Sequence, residues 1–350
     1  MNPVSGKTAP SSQPLAKSSN IQPTMPSTRR KKYLVAVAVI LACLVLWWFL
    51  SGPKHDVRYK VTDLGAGLFT RHFVHLGINN QGQILINMVR PSGDEESFIR
   101  QPDGTEERFP NGGVRPVALN DRGDILGEDY RWGPWRTVIL SATGSITEVT
   151  KMTRTAGRPT FRSLNNDRCA VGLSGIIWTA TSGCQTVTGL RGTGFPKFFG
   201  VNDKGYIVGY HHASNECPII RSPTGEIGEL DRLGWGPATA YGVNNNNQVV
   251  GQSDIRGFIY PVLEIMENVR KELGVGTRNG HIEPNLHAVL WDDGILYDLN
   301  DLIPADSVRT LRIANDINDA GQIVGQGESG GVEHAFLLTP IEDKTKANDH

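Results

Sequence analysis

Nine histidines, four cysteines and a few close-set acids are the residues of this 350-residue chain with chemistry to offer. His211 and His212 are adjacent, and consecutive residues on a strand point to opposite faces, so the pair does not suit one shared metal. His287 and His334 open similar runs, "HAVLW" and "HAFLL", so a place at the start of that run explains them better than ligation. Cys43, Cys169, Cys184 and Cys217 form no CxxC pair and no Cys/His spacing typical of zinc. "GESGG" at 327–331 matches the G-x-S-x-G nucleophile pattern by letter. That motif needs a strand, a sharp turn and a helix, whereas here a hairpin loop leads into "HAFLL". "GVGTRNG" from Gly274 follows a helical pattern rather than a strand, a poor setting for a phosphate cradle. Glu95–Glu96 and Asp292–Asp293 read as solvated loop acids. No catalytic residue, metal or cofactor is expected from these letters.

A ten-residue phrase organises the chain. "INDAGQIVGQ" (317–326) has five relatives, and the first Asn of each copy falls at Asn79, Asn120, Asn165, Asn202, Asn244 and Asn318. The intervals are 41, 45, 37, 42 and 74 residues. A period of about 40–45 is that of a four-stranded propeller blade. Asn and Asp open turns by bonding nearby backbone amides, and Gly three places on can take positive φ in a hairpin with a bulge. Gly82, Gly123, Gly205 and Gly321 hold that place, with Asn247 in the fifth copy. Arg168 holds it in the third copy, which predicts an irregular hairpin there. Calcium is the rival reading, but no copy has the alternating carboxylates of a calcium loop.

Within each unit, β-type runs alternate with polar turns, four runs to a unit. "YKVTDLG" (59–65) looks like the last run of a blade with no blade before it, and "HAFLLTP" ends the series without a fourth run. The first can complete the blade of the second beside Phe336–Leu338, removing two open edges. The expected fold is therefore an all-β six-bladed propeller over 59–340. A content of 40 glycines and 39% hydrophobic residues suits it. The formal net charge of −1 gives no basic field for nucleic acid.

The long interval holds a predicted helical insertion at 261–286, in blade five between the second and third strands. Pro261 suits its start, Gly274 its end, and Val262, Ile265, Met266, Val269 and Leu273 follow helical spacing. Second-to-third loops emerge on the same face as the blade-to-blade connections. That face should gather Trp132, Trp135, Phe195, His211, His212, Trp235, Arg270 and Lys271 as a candidate binding rim. The alternative is that helix and tryptophans merely cover the blade tops.

Residues 1–32 have no acid and many Ser, Pro, Thr and Gln, as disordered tails do. Residues 33–50 carry no charge over about 27 Å of helix, follow "RRKK" and end near Trp47–Trp48, which predicts one membrane span with a cytoplasmic N-terminus. A cleaved signal peptide and a lipoprotein cleavage at Cys43 are the alternatives; all three place the remainder outside the cytoplasm. Residues 51–58 read as a linker and 341–350 as a disordered end.

The combination of "IND-x-G-Q-x-VG", "HAFL" or "HAVLW", and "DLN" or "DLG" resembles the HAF-repeat family of probable extracellular bacterial repeat proteins. The likeness is strongest at 242–253, 287–301 and 313–338; blades one to four lack the His-Ala pair. The resemblance implies an exported repeat domain and no reaction. The expected function is binding or scaffolding of an envelope protein or glycan. A hydrolase or lyase with a channel-mouth site is the alternative.

Overall fold

The computed structural model describes residues 36–37, 40, 57–66, 76–89, 95–109, 113–131, 135–151, 160–188, 194–212, 216–234, 236–255, 285–305, 307 and 310–341. The N-terminal tail, all but three residues of 33–50, the insertion up to residue 284 and the end after 341 lie outside these residues. No helix among the described residues is long and apolar enough to cross a membrane.

Six four-stranded antiparallel sheets form the propeller. β1 (Tyr59–Ala66) comes first in the chain. Blade one is β2 (Leu76–Ile78), β3 (Ile84–Val89), β4 (Glu95–Arg100) and β5 (Glu106–Arg108). Blade two is β6 (Val114–Leu119), β7 (Ile125–Asp129), β8 (Arg136–Leu140) and β9 (Ile146–Lys151). Blade three is β10 (Phe161–Leu164), β11 (Ala170–Gly172), β12 (Ile176–Thr179) and β13 (Gly183–Thr186). Blade four is β14 (Lys197–Val201), β15 (Ile207–His212), β16 (Glu216–Arg221) and β17 (Ile227–Glu229). Blade five is β18 (Ala238–Val243), β19 (Val249–Asp254), β20 (Leu286–Asp292) and β21 (Ile295–Asp298). Blade six is β22 (Thr310–Ile317), β23 (Ile323–Ser329) and β24 (Val332–Pro340). Its fourth strand is β1, with Val61 opposite Leu338 and Asp63 opposite Phe336, so the chain's first strand closes the ring as expected.

The apolar letter of "Q-x-V-G" is the core of every blade. Leu85, Leu126, Val171, Val208, Val250 and Val324 occupy this place, and each has no exposed surface. They pack between neighbouring blades: Leu126 and Ile139, for example, join Phe161, Leu164 and Trp178 of the next blade. Each such burial contributes about 1.5–3 kcal/mol before chain entropy is set against it.

The glycine after that residue answers to a bulge on the strand beside it. The innermost strands skip a residue in their pairing at Val117, Arg162, Phe199, Tyr241 and Asn315, and β22 skips another at Arg312. The skip drives a backbone carbonyl toward the second strand. A Cβ on Gly209 would sit 1.9 Å from the Lys197 carbonyl oxygen, and one on Gly251 2.0 Å from that of Thr239. Blade one has Ile86 in this place, and its paired residues show no skip.

Two expectations need correction. Glu95 and Glu96 are not loop acids: both lie in β4, and Glu96 is buried and ion-paired with Arg108 at 2.9 Å. Nor is the third Asn turn irregular. Arg168 takes φ 59°, matching φ 62° at Asn247 and 72–81° at the four glycines, and its N–H meets the Asn165 carbonyl at 3.0 Å as Gly82 meets Asn79. The strain of a left-handed arginine is offset by a bidentate pair with Asp124 of blade two, both contacts 2.9 Å.

Candidate functional site

At one end of the central channel the six Asn turns are stitched into two closed rings. In each turn the Asn Oδ1 accepts the N–H of the residue four places on, at 2.8–3.0 Å. The same side chain's Nδ2 donates to the backbone carbonyl of the next blade's Asn. The series runs from Asn79 through Asn120, Asn165, Asn202 and Asn244 to Asn318 and back to Asn79, at 2.8–3.3 Å. All six are buried. The local turn reading was right, but the repeated Asn also locks each blade to its neighbour.

The following residue builds the second ring: Asn80, Asp121, Asn166, Asp203, Asn245 and Asp319. Each backbone N–H donates to the next side chain's Oδ1, at 2.6–2.9 Å. Each Asn Nδ2 donates to both flanking Asp Oδ2 atoms, at 2.7–3.0 Å. An amide nitrogen has two protons to give and a carboxylate oxygen can take two, so the alternation satisfies every member.

Inside this end lies a channel of about 470 Å³, lined by the innermost strands. Its wall carries the bulged residues Val117, Arg162, Phe199, Tyr241 and Asn315, together with Leu76 of blade one. A bulge re-aims a side chain, and in each of blades two to six it turns a residue toward the axis. The residues so presented are all different. Phe199 meets Tyr241 edge-on at 5.2 Å and stacks on Tyr210 at 5.9 Å. Lys197 donates to the Tyr210 hydroxyl at 2.6 Å. Burial raises the Tyr241 phenol well above its ordinary value.

Asp316 lies on the channel wall one residue beyond Asn315. Its Oδ2 accepts from the Ile78 N–H at 3.0 Å and its Oδ1 from its neighbour Ile317 at 2.9 Å. The carboxyl lines water-accessible space, yet protein surrounds it, and burial pushes its pKa up to about 7 against those two hydrogen bonds. Small residues make the room: a Cβ on Gly242 would come within 2.8 Å of Oδ1. No histidine lines the channel among the described residues.

The expected rim is only partly visible. Trp132, Trp235, Arg270 and Lys271 lie outside the described residues. Trp135 is 41% exposed and packs edge-on against Tyr130 at 4.0 Å; Phe195 is half exposed. Near Trp135, Arg131 first, then Arg136, hold the buried Asp129 carboxyl down to about 2, against its burial. His211 and His212 do face opposite ways. The His212 ring lies 5.2 Å from Tyr210, while His211 Nε2 lies 3.1 Å from Glu229.

The histidines of "HAVLW" and "HAFLL" have a partner that the letters did not reveal. His287 Nδ1 is 2.5 Å from Asp298, and His334 Nδ1 is 2.8 Å from Asp63, the Asp of "DLN" and "DLG" respectively. The pair ties the third strand to the fourth. Blades one and two use the same two places for Glu96–Arg108 and Arg136–Glu148. Blade four has Cys217 and Glu229 there, with His211 opposite Cys217 on β15. Hydrogen bonds from Cys217 first, then His211, hold Glu229 below the usual carboxylate range. Burial pushes the Cys217 thiol up to about 11. Cys169, Cys184 and Cys217 are all free thiols.

No protein-family model matches the chain, and no curated protein matches it. Among solved structures it resembles a virginiamycin B lyase from Staphylococcus aureus crystallised with quinupristin, at 12% identity over 81% of this chain and 100% of that one, TM-score 0.41. A putative gluconolactonase matches at 11% over 84% and 95%, TM-score 0.46. An oligogalacturonate lyase in complex with manganese matches at 12% over 83% and 98%, TM-score 0.40. At such scores neither residue roles nor activities transfer to this chain.

Proposed function

We propose that this protein is a HAF-type repeat propeller, tethered by residues 33–50 with its blades outside the cytoplasm, and that it acts by binding. The carrying observation is the channel wall. One equivalent place per blade lines the channel, on a bulge in blades two to six, and those six places hold leucine, valine, arginine, phenylalanine, tyrosine and asparagine. A wall needed only for closure has no use for such variety. A volume of about 470 Å³ falls in the range of small-ligand sites, which combine apolar faces with a few placed polar groups. Of an envelope protein or a glycan, the wall better suits a glycan terminus. Phe199 and Tyr241 offer faces to a sugar ring, and Arg162, Asn315 and Asp316 offer hydrogen bonds to its hydroxyls.

The test is a glycan array probed with the full-length protein in detergent, beside Phe199→Ala and Tyr241→Ala. The proposal expects selective binding that both variants lose while their thermal unfolding stays close to the parent's. Binding that survives both variants puts the ligand elsewhere. Location is tested separately. A membrane-impermeant maleimide should label the exposed Cys184 in intact cells; labelling only after lysis contradicts an extracytoplasmic domain.

Asp316 keeps a second reading in view. A carboxyl titrating near 7 in a channel could move a proton for a hydrolase or lyase. Turnover of any bound glycan that Asp316→Asn abolishes, with binding retained, would decide for it.

A further inference from the structure

We propose that blade four carries a divalent-metal site of the zinc class, made by His211 Nε2, Cys217 Sγ and a carboxylate oxygen of Glu229. These three atoms lie within 4.8 Å of one another, with His211 and Glu229 at 3.1 Å. Tetrahedral zinc, with bonds of about 2.0–2.3 Å, sets its donors about 3.4–3.6 Å apart, so side-chain rotation alone reaches that spacing.

The placement is held by backbone pairing. His211 is directly opposite Cys217, and Glu229 is opposite Ile219, two residues from Cys217 on the same face. The three donors therefore come from three adjacent strands and share one side of the sheet. Cys217 is buried, His211 is 12% exposed and Glu229 is 66% exposed. A bound ion would thus meet protein on one side and water on the other, leaving its fourth position to a water molecule or a partner's group.

The comparison between blades argues that this set is more than another strand clamp. Blades one and two pair an arginine with a carboxylate at the two equivalent places, and blades five and six pair a histidine with an aspartate. Blade four keeps the carboxylate but replaces its basic partner with a thiol. It then brings an imidazole from the second strand, where blade five has Ser253 and blade six Gly327. A nitrogen, a sulfur and a carboxylate oxygen form a donor set that selects a borderline metal such as zinc over magnesium or calcium. Binding would displace the Cys217 proton to solvent and form Zn–S, Zn–N and Zn–O bonds, with no oxidant or reductant involved.

The experiment uses full-length protein in detergent, stripped with a chelator and titrated with Zn²⁺ by calorimetry and with Co²⁺ by absorbance. One ion per chain is expected, with a sulfur-to-cobalt charge-transfer band. Cys217→Ser should remove that band, and His211→Gln should weaken Zn²⁺ binding by roughly 100-fold or more, since even outer-shell partners are worth 10–100-fold. Cys184→Ser, altering an exposed thiol in blade three, should leave both readings unchanged. Because Cys217 is buried, His211→Gln guards against simple misfolding; its unfolding midpoint without metal should match the parent's. Absence of the band, or Zn²⁺ affinity indifferent to His211→Gln, would overturn the proposal and leave a hydrogen-bonded triad only.

Discussion

The two layers of the channel are built from the same six strands and treat repetition in opposite ways. At the turn end, six asparagines make the same two bonds six times, and the next position alternates without exception. A few residues earlier, the bulged positions share a backbone shape and nothing else: valine, arginine, phenylalanine, tyrosine and asparagine. Sameness marks where the ring must close. Difference marks where closure no longer dictates the side chain, so a ligand can.

Substitutions can break this contrast. Asn244→Ala removes the buried donor to the Asn318 carbonyl and the part-buried acceptor of the Gln248 N–H. The Gln248 N–H is orphaned while the Asn318 carbonyl keeps the Gly321 N–H at 2.9 Å, so the cost should be about 1–3 kcal/mol, read by urea unfolding. Asn315→Ala on the wall should cost under about 1 kcal/mol in the same measurement, since its bond to Gln326 is long at 3.3 Å. Equal costs would erase the distinction between the layers.

Arg168→Gly probes the one ring position where strain and pairing oppose. It relieves a left-handed residue, worth roughly 1–2 kcal/mol, but strips a bidentate partner from the buried Asp124. The pairing should win by about 1 kcal/mol net, because an unpaired carboxylate there costs more than the strain. Adding Asp124→Gln should recover the loss, for Gln83, Gln248 and Gln322 fill that place in blades one, five and six and bond their Asn at 2.7–2.8 Å.

The pH dependence of stability sharpens the picture of the wall. Asp316 titrates near 7 in the folded protein against an ordinary 3.8, so the folded state holds its proton more tightly. Its contribution is complete below about 4 and is lost as pH rises toward 7. Asp316→Asn should flatten that part of the stability curve; an unchanged slope would remove Asp316 as its source. The smallest effect belongs to the rim of the sheet. His334→Ala breaks a pair whose Asp63 is more than half exposed, and should cost under about 1 kcal/mol in thermal unfolding.

Much of the frame was legible in the letters. The Asn spacing counted the blades, Gly and Asn at the left-handed position marked the turns, and the stray first run announced the closing strand. The site was less legible for a physical reason. A bulge is a property of two paired strands, so nothing local singles out Val117, Arg162 or Tyr241 as channel residues. One correlate was available: glycine after the core residue of the second strand, absent in blade one. His287 with Asp298 likewise needed strand order before the shared letters became a pair. The alternation of Asn-Asn with Asn-Asp stood in plain view, but it carries meaning only once the ends meet.

That alternation sets a rule of parity. Asn80, Asn166 and Asn245 each need an aspartate on both sides, and Asp121, Asp203 and Asp319 each need an asparagine on both sides. Around a circle this works only for even numbers. A relative with five or seven blades would bring two donors or two carboxylates face to face at one seam. The unit that such a ring can gain or lose by duplication is therefore a couplet of blades, and the chain has three.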